Sequence, residues 1–509
     1  MKLQHVSLAL AAAATAQQCP AYESYAARRN PPFSPGRYAY PSQRPPRPCR
    51  TYVAAEVDKT LDEARARIGD QDLYRLFVNA WPNTVDTTVL WRGVSAHDAE
   101  EQLAFITTGD IHAMWLRDSA NQLQSYKRLL SPRNTTSAIA TLYRGAINLQ
   151  ARYIRQFPHC NAFQPPPESK MPPVAATAER ADVVSPPYDP GVVFECKYEL
   201  DSLAAFLQLS WDYYDATHDA AFFARFHWAA AVRSILRLAR DMMQGTYADD
   251  GTVNPSPYTW LRDATSATET VSNGGAGNPV AGRLGLVRSF FRPSDDSTIY
   301  QYLVPSNIMF SRFLAACAVI MRPIDAGLAT EMKAMADGIA AGLETHAVVH
   351  HPQFGHVYAY EVDGFGSSNL MDDANIPSLL SIPHLGFKPA SDPLYRRTRD
   401  LVLSRSNPYF ARGPVLNATG GPHLGPGMAW PMAVIMQTMT SDDDDEIVRG
   451  IKQLMGSTSG LGLIHESVNS HDASKWTRPW FAWANGLFGQ MVLDLLDRKP
   501  QLLGRSFQH

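Results

Sequence analysis

Apolar residues recur three and four positions apart through most of this chain, a spacing that builds helices and little else. The pattern predicts helices over 135–157, 200–217, 220–244, 307–321, 326–345, 392–404 and 476–496. Several of these open on Asp, Ser or Thr, whose side-chain oxygens accept the orphan backbone N–H groups of a helix start. Strand-like alternation is scarce, with 357–362 the clearest exception. Two stretches break the pattern. Residues 161–191 are studded with proline (Gln164-Pro165-Pro166-Pro167, Ser185-Pro186-Pro187), and 272–282 are rich in glycine. Both predict irregular loops, and long loops inside a compact domain are usually functional or disordered. No repeat or linker divides 51–500, and 509 residues at 45% apolar content suffice for one large core. The expectation is one all-α domain of paired helices, its site built by long loops at one end. An extension over 17–50 precedes this domain and a short tail over 501–509 follows it.

The N-terminus reads as a processing segment. Lys2 and His5 precede an apolar run over 6–14, and Ala14-Thr15-Ala16 is a small-x-small cleavage site, so 1–16 are expected to be a signal peptide. That predicts a protein that is secreted or held in the lumen of the secretory pathway. No later segment offers the roughly 18 uninterrupted apolar residues that a membrane span needs. In an oxidising compartment the five cysteines leave one unpaired. Cys19 with Cys49 would staple the extension, and Cys160 with Cys196 would bracket the irregular segment between them. Cys317, inside an apolar run, reads as a buried free thiol. Asn134-Thr135-Thr136 and Asn417-Ala418-Thr419 are acceptor sequons for N-glycans. Net charge is −3 with Lys and Arg scattered. This argues against a nucleic-acid partner, which demands a concentrated basic footprint.

Several chemistries are excluded by their missing motifs. Between Gly456 and Gly460 the nucleophile position of a GxSxG elbow holds Thr458. His465-Glu466 lacks the second histidine of a zinc protease, since Asn469 stands there. The glycines of 274–282 precede no Lys-Ser/Thr pair and follow no predicted strand, which removes phosphate-loop and dinucleotide readings.

What remains are segments that mix carboxylates, Arg or Asn, and aromatics. Sugar sites need this mixture, because carboxylates move protons and grip hydroxyl pairs while aromatic faces cover the C–H side of a pyranose. Gly109 to Ser119 carries Asp110, His112, Trp115, Arg117 and Asp118; Asp110 is expected to cap a helix there, with either a binding edge or a local ion pair behind it. Phe291 to Ser297 carries Arg292 and the adjacent Asp295 and Asp296, which repel one another if held close. Glu466 leads into Thr477-Arg478-Pro479-Trp480-Phe481-Ala482-Trp483, and an apolar surround favours the proton-bearing acid of general-acid catalysis. Trp483 reads as core and Trp480 as the better site candidate. Asp372, Asp373 and Asn375 suggest a satisfied buried network or a grip on sugar hydroxyls in equal measure. The acidic run at 441–446 has no such neighbours and reads as a solvated helix start.

Together these segments resemble glycoside hydrolase family 125, the exo-α-1,6-mannosidases. The resemblance runs from about Asp86-Thr87-Thr88 to Phe488 and also includes Lys197 to Leu203, Tyr358 to Asp363 and Met371 to Pro383. It implies an (α/α)6 toroid and metal-independent hydrolysis with inversion. One carboxylic acid then protonates the leaving oxygen while a carboxylate activates water on the opposite face. By motif position Glu466 resembles the general acid and Asp295 the general base, with Asp296 adjacent. Asp110, His112, Trp115, Arg117, Asp118, Arg292, Asp296, Asn375, Arg478, Trp480 and Asn485 would grip the mannose. No cofactor or metal is implied, and the partners are α-mannosides. The competing readings are a metal-dependent α-mannosidase with Asp110, His112 and Asp118 as ligands, a polysaccharide lyase, and a non-catalytic glycan-binding protein. The signal peptide, the extension and the Pro-rich loop set this chain apart from shorter relatives and bear on subsite length.

Overall fold

A computed structural model describes residues 19–174 and 182–508. The predicted signal peptide lies outside the described residues. The longer helices, in chain order, are α1 (Ala55–Arg65), α2 (Gln71–Ala80), α3 (Leu116–Gln124), α4 (Ala138–Gln156), α5 (Leu200–Thr217), α6 (Trp228–Asp241), α7 (Val304–Met321), α8 (Ala326–His346), α9 (Pro393–Val402), α10 (Pro431–Met439), α11 (Asp444–Gly456) and α12 (Ala482–Arg498).

Two layers emerge from how these helices pack. Helices α10, α12, α3, α5 and α7 lie side by side in that order, while α2, α4, α8 and α11 back onto α12, α5, α7 and α10. The inner helices α3, α5, α7 and α12 are buried around most of their circumference. The outer helices α6, α8 and α11 bury a single stripe, as the 3.6-residue period demands of a helix with one wet face. Helix α7 is long and apolar enough to cross a membrane by composition, but 83% of it is buried in the protein interior. Between α8 and α9 a run of turns over 376–386 is buried almost throughout. Arg312 Nε on α7 donates to the Gly386 carbonyl (3.2 Å), and Tyr395 Oη on α9 donates to Leu380 O (2.9 Å), which ties this run to the inner helix α7 and to α9.

The all-α expectation needs correction in the loops. Small sheets of two or three short strands knit them together. Met114–Trp115 pairs with Ala162–Phe163, which pairs with Val193–Glu195, and Ser467–Asn469 lies between Met428–Ala429 and Asp472–Thr477. The alternation at 357–362 marks the strands Gly355–Tyr358 and Glu361–Val362, but most of these strands, two to six residues long, are too short for a two-residue period to register in the sequence. The predicted helix at 476–496 starts at Ala482 instead, because Trp476 belongs to a strand and Pro479 intervenes. The predicted 220–244 helix splits into Ala220–Phe223 and α6.

One apolar core runs from Tyr40 to Phe507, so the extension and the tail share it with the rest of the chain. Phe507 N donates to Asp70 Oδ2 (2.7 Å), which pins the tail to the start of α2. Disulfides join Cys19 to Cys49 and Cys160 to Cys196, and Cys317 is a buried free thiol. Both sequon asparagines are exposed. Asp443 caps α11, as the acidic run at its start implies.

Candidate active site

The first turns of α3 and α12 and the loops around 108–115, 293–295, 375, 423–430, 466 and 478–481 meet at a cleft of about 400 Å3, counting the space open to solvent. Trp115, Arg117, Asp118, Asp295, Asn375, Glu466 and Arg478 line it, together with Thr108, Ser294, His423, Trp430, Phe481 and Trp483. A polar floor under aromatic walls suits a sugar ring.

Asp110 does not cap α3, which starts six residues later at Leu116 behind Trp115. Instead Asp110 sits 3.5 Å from Arg478 Nη1, and Arg478 Nε lies 3.5 Å from Glu466 Oε1. Arg478 therefore bridges the 108–112 loop to Glu466. His465 fixes the backbone behind this bridge. Its ring stacks flat on Trp476 at 4.4 Å, and its Nδ1–H donates to the Arg478 carbonyl (2.9 Å).

Across the cleft, a tight turn presents Asp295. Arg292 N donates to Asp296 O (2.8 Å) and Asp295 N to Arg292 O (2.9 Å), with Asp295 in the left-handed region at φ 67°. Arg478 shares that conformation at φ 54°. Non-glycine residues are held there at a cost of about 1–3 kcal/mol, and such strain clusters at functional sites. The turn sends consecutive carboxylates apart. Asp295 faces the cleft at 27% side-chain exposure, whereas Asp296 is 2% exposed and is held by Ser294 Oγ (3.1 Å) and His423 Nδ1 (3.1 Å).

A buried charge cluster lies beneath Asp295. Arg117, 3% exposed, reaches Glu199 (2.6 Å), Asp201 (3.3 Å), Asp118 (3.3 Å) and Asp295 (3.4 Å). Lys197 Nζ donates to the Asp295 carbonyl (2.9 Å). Burial alone would favour the neutral form of Asp295, but Arg117 and Lys197 overcome it and hold this carboxyl well below the usual range. Glu199 moves the other way. Burial pushes it well up against the pull of Arg117, and the neighbouring Asp295 charge adds to the rise. Burial likewise lifts Asp118 to about 6 despite Arg117. Burial opposes the charge on His423, but its bond to Asp296 and the charges of Asp296 and Asp295 raise it to about 9, leaving an imidazolium at the cleft.

Six residues expected to grip sugar do not line the cleft: Asp110 and Asp296 reach it only through Arg478 and His423, and four others lie elsewhere. Arg292 is sealed in a 2.7 Å ion pair with Glu361 and lines no part of the cleft. Asn485 is fully buried and clamps Ile464, accepting from Ile464 N (3.0 Å) and donating to Ile464 O (2.8 Å), two residues ahead of Glu466. His112 and Trp480 line a separate groove under the N-terminal extension. The two tryptophans thus exchange the places the sequence suggests: Trp483 lines the cleft with Arg117 5.7 Å over its ring, and Trp480 does not. With His112 on one groove and Asp118 on the other cleft, Asp110, His112 and Asp118 form no common ligand set. Among the described residues the metal-ligating types gather only at His159, Cys160 and Cys196, where both cysteines are spent in a disulfide. Sequence reasoning missed His423, Trp430 and Phe481. His423 stands in a Gly-Pro loop with no motif, so nothing local marks it. Lys197, Glu199 and Asp201 were visible as a motif without assigned roles.

Residues 70–493 match the model of a family described as metal-independent alpha-mannosidase (GH125). The chain is 45% identical over 491 residues to the meiotically up-regulated gene 157 protein of Schizosaccharomyces pombe, covering 96% of this chain and 94% of that one. A solved Streptococcus pneumoniae protein, from a family of metal-independent alpha mannosidases and in a non-productive complex with alpha-1,6-mannobiose, superposes with a TM-score of 0.76 at 30% identity. That match covers 88% of this chain and all of the other. A GH78 family rhamnosidase of Bacillus sp. GL1 shares the fold alone, with a TM-score of 0.50 at 11% identity over 85% of this chain and 35% of that one.

Proposed function

The chain belongs to the GH125 family of metal-independent α-mannosidases, and from that premise we propose that it removes terminal α-1,6-linked mannose with inversion. Asp295 is the general base and Glu466 the general acid. The observation that carries this reading is the division of labour across the cleft: Asp295 is held ionised by Arg117 and Lys197, and Glu466 faces the same space beside Arg478. A base needs a free lone pair at working pH to take a proton from water, and the Asp295 surroundings supply it. Inversion further requires the two carboxyl groups to stand roughly 6.5–9.5 Å apart, with water between them. Trp115, Trp430 and Trp483 offer the apolar faces, and Asp118 and Asn375 the polar edge, for a single terminal mannose. The layered helices are best read as an (α/α)6 toroid in which the turns over 376–386 stand in for one inner helix. The sequence features at 1–16 and the exposed sequons support passage through the secretory pathway with N-glycans at Asn134 and Asn417.

The test is product release from α-1,6-mannobiose followed by proton NMR, with chelator present. Initial β-mannose from the wild type, with Asp295→Asn and Glu466→Gln nearly silent, is the expected result. Initial α-mannose would replace inversion with a covalent route. Loss of activity to chelator would restore the metal reading, and an unsaturated product the lyase.

A further inference from the structure

We infer that the N-terminal extension builds a second carbohydrate subsite beside the cleft, which binds sugars on the leaving-group side of a longer oligomannoside. This rests on the mannosidase reading above.

The extension is firmly seated. The Cys19–Cys49 disulfide closes it, Gln43 Nε2 donates to Leu461 O (2.9 Å), and Asn79 Nδ2 donates to both Pro41 O (3.0 Å) and Gly462 O (2.9 Å). Ala26 of the extension joins Leu463, Trp480 and Ala482 in a small apolar cluster, and Tyr22 meets Trp480 edge to face at 4.8 Å. The segments on either side of Glu466 and Arg478 therefore rest on the extension.

Between the extension and the 108–112 loop lies a groove of about 830 Å3, roughly twice the size of the cleft by the same measure. Tyr22 and Tyr25 give it aromatic surface over a nearly buried Trp480, while Glu23, Thr87 and His112 give it acceptors and donors. Stacking rings with short polar groups at their edges is the chemistry that holds a pyranose. The arginines nearby do not make it an anion site, because Arg44 and Arg50 are engaged by Asp86 and Asp58. The indole Nε1 of Trp480 is buried and without a partner.

The groove's position assigns its role. Trp480 is two residues from Arg478, His112 is two residues from Asp110, and Asp110 and Arg478 meet at 3.5 Å. Gly109 makes the close approach possible: a Cβ there would stand 2.9 Å from Trp480 Cζ2, and its φ of +134° suits glycine alone. The groove thus shares a wall with the cleft on the Glu466 side, where the leaving sugar departs. Much of it comes from residues before position 70, ahead of the region the family model matches. A chain built only of that region would lack the subsite.

The experiment compares kcat/KM on α-1,6-mannobiose and on a longer α-1,6-mannotetraose for the wild type, Tyr25→Ala and Glu23→Ala. The wild type is expected to favour the tetraose by about tenfold, and both variants to lose most of that preference with mannobiose turnover unchanged. Wild-type preference retained in both variants would overturn the subsite. Tyr25 also donates to Ser42 O (3.1 Å), so its loss risks loosening the extension. Glu23 is exposed, so its substitution decides the outcome if Tyr25→Ala fails to fold. Should the wild type cleave neither sugar, the mannosidase reading falls by itself. Saturation-transfer NMR of the tetraose against wild type and Glu23→Ala then still reads the subsite: weaker saturation in the variant upholds it, and equal saturation rejects it.

Discussion

Arg117 and Arg292 are both about 3% exposed, both face carboxylates, and both look like sugar-gripping residues in the sequence. Their neighbourhoods differ in arithmetic. Arg292 closes a one-to-one pair with a fully buried Glu361 and lies over the Tyr360 ring, so its charge is consumed inside the fold. Arg117 is shared among Glu199, Asp201, Asp118 and Asp295. Arg117 and Lys197 are outnumbered by four acids in a low-dielectric interior, so burial raises Glu199, Asp201 and Asp118 while Asp295, at the water edge, is lowered. A balanced pair builds structure; an unbalanced cluster sets proton positions, which is what a reaction can use.

The largest effect that tests this difference is in turnover. Asp295→Asn is expected to lower kcat by about a thousandfold, in the range for loss of a general base. Asp296→Asn, on a sealed side chain, is expected to move stability more than chemistry; equal collapse of kcat in both variants would break the contrast. Next comes Arg292→Met, which strands Glu361. Urea unfolding is expected to report a loss of roughly 3–5 kcal/mol, with kcat of the folded fraction nearly intact. Arg117→Lys is expected to cost on the order of tenfold in kcat, because an ammonium cannot reach several acids at once as a guanidinium fork does. A variant as active as the wild type would mean that the cluster's geometry is irrelevant.

The smallest effect lies in pH dependence. Burial raises Asp118 in the open cluster to about 6 and Asp372, which accepts from Leu379 N and Leu380 N, to about 8. A carboxyl whose folded value is raised binds more protons in the native state than in the unfolded one between those values and about 4, so its contribution to stability falls as pH rises. His423, raised to about 9 by Asp296, acts in the same direction between about 6.5 and 9. Asp295 opposes them, since its lowered value adds stability that is lost only as pH drops below about 4. Melting temperature is thus expected to peak on the acid side of neutrality and to fall by a few degrees toward pH 8. Asp372→Asn should flatten the pH 6–8 part of that slope and Asp118→Asn the pH 4–6 part. An unchanged slope would deny the buried-acid origin of the effect.

Much of this molecule is legible in its residues. The three- and four-residue spacing of apolar positions marks α5 to its observed ends, and places α4, α7, α8 and α9 within a few residues, because each must bury a stripe or a whole surface. The segments around Asp118, Asp295 and Glu466 are visible because sugar chemistry needs carboxylates beside arginine and aromatics. Apart from the alternation at 357–362, where strands Gly355–Tyr358 and Glu361–Val362 form, the short sheets leave no trace, since their ladders are fixed by backbone partners distant in the chain.

The choice among equals belonged to the tertiary structure. Asp295 and Asp296 are neighbours of one chemical type, and only a left-handed turn sends one to water and the other to His423. Trp480 and Trp483 stand three residues apart, and the extension packed on Trp480 leaves Trp483 to the cleft. Arg117 and Arg292 carry the same guanidinium, and the number of acids folded around each decides which tunes a proton and which ties a loop. Sequence determined which chemistry was present and on what kind of scaffold, through local periodicity and residue type. Which copy of each residue took part was set by long-range packing, since burial and charge balance are sums over neighbours that the chain order does not contain.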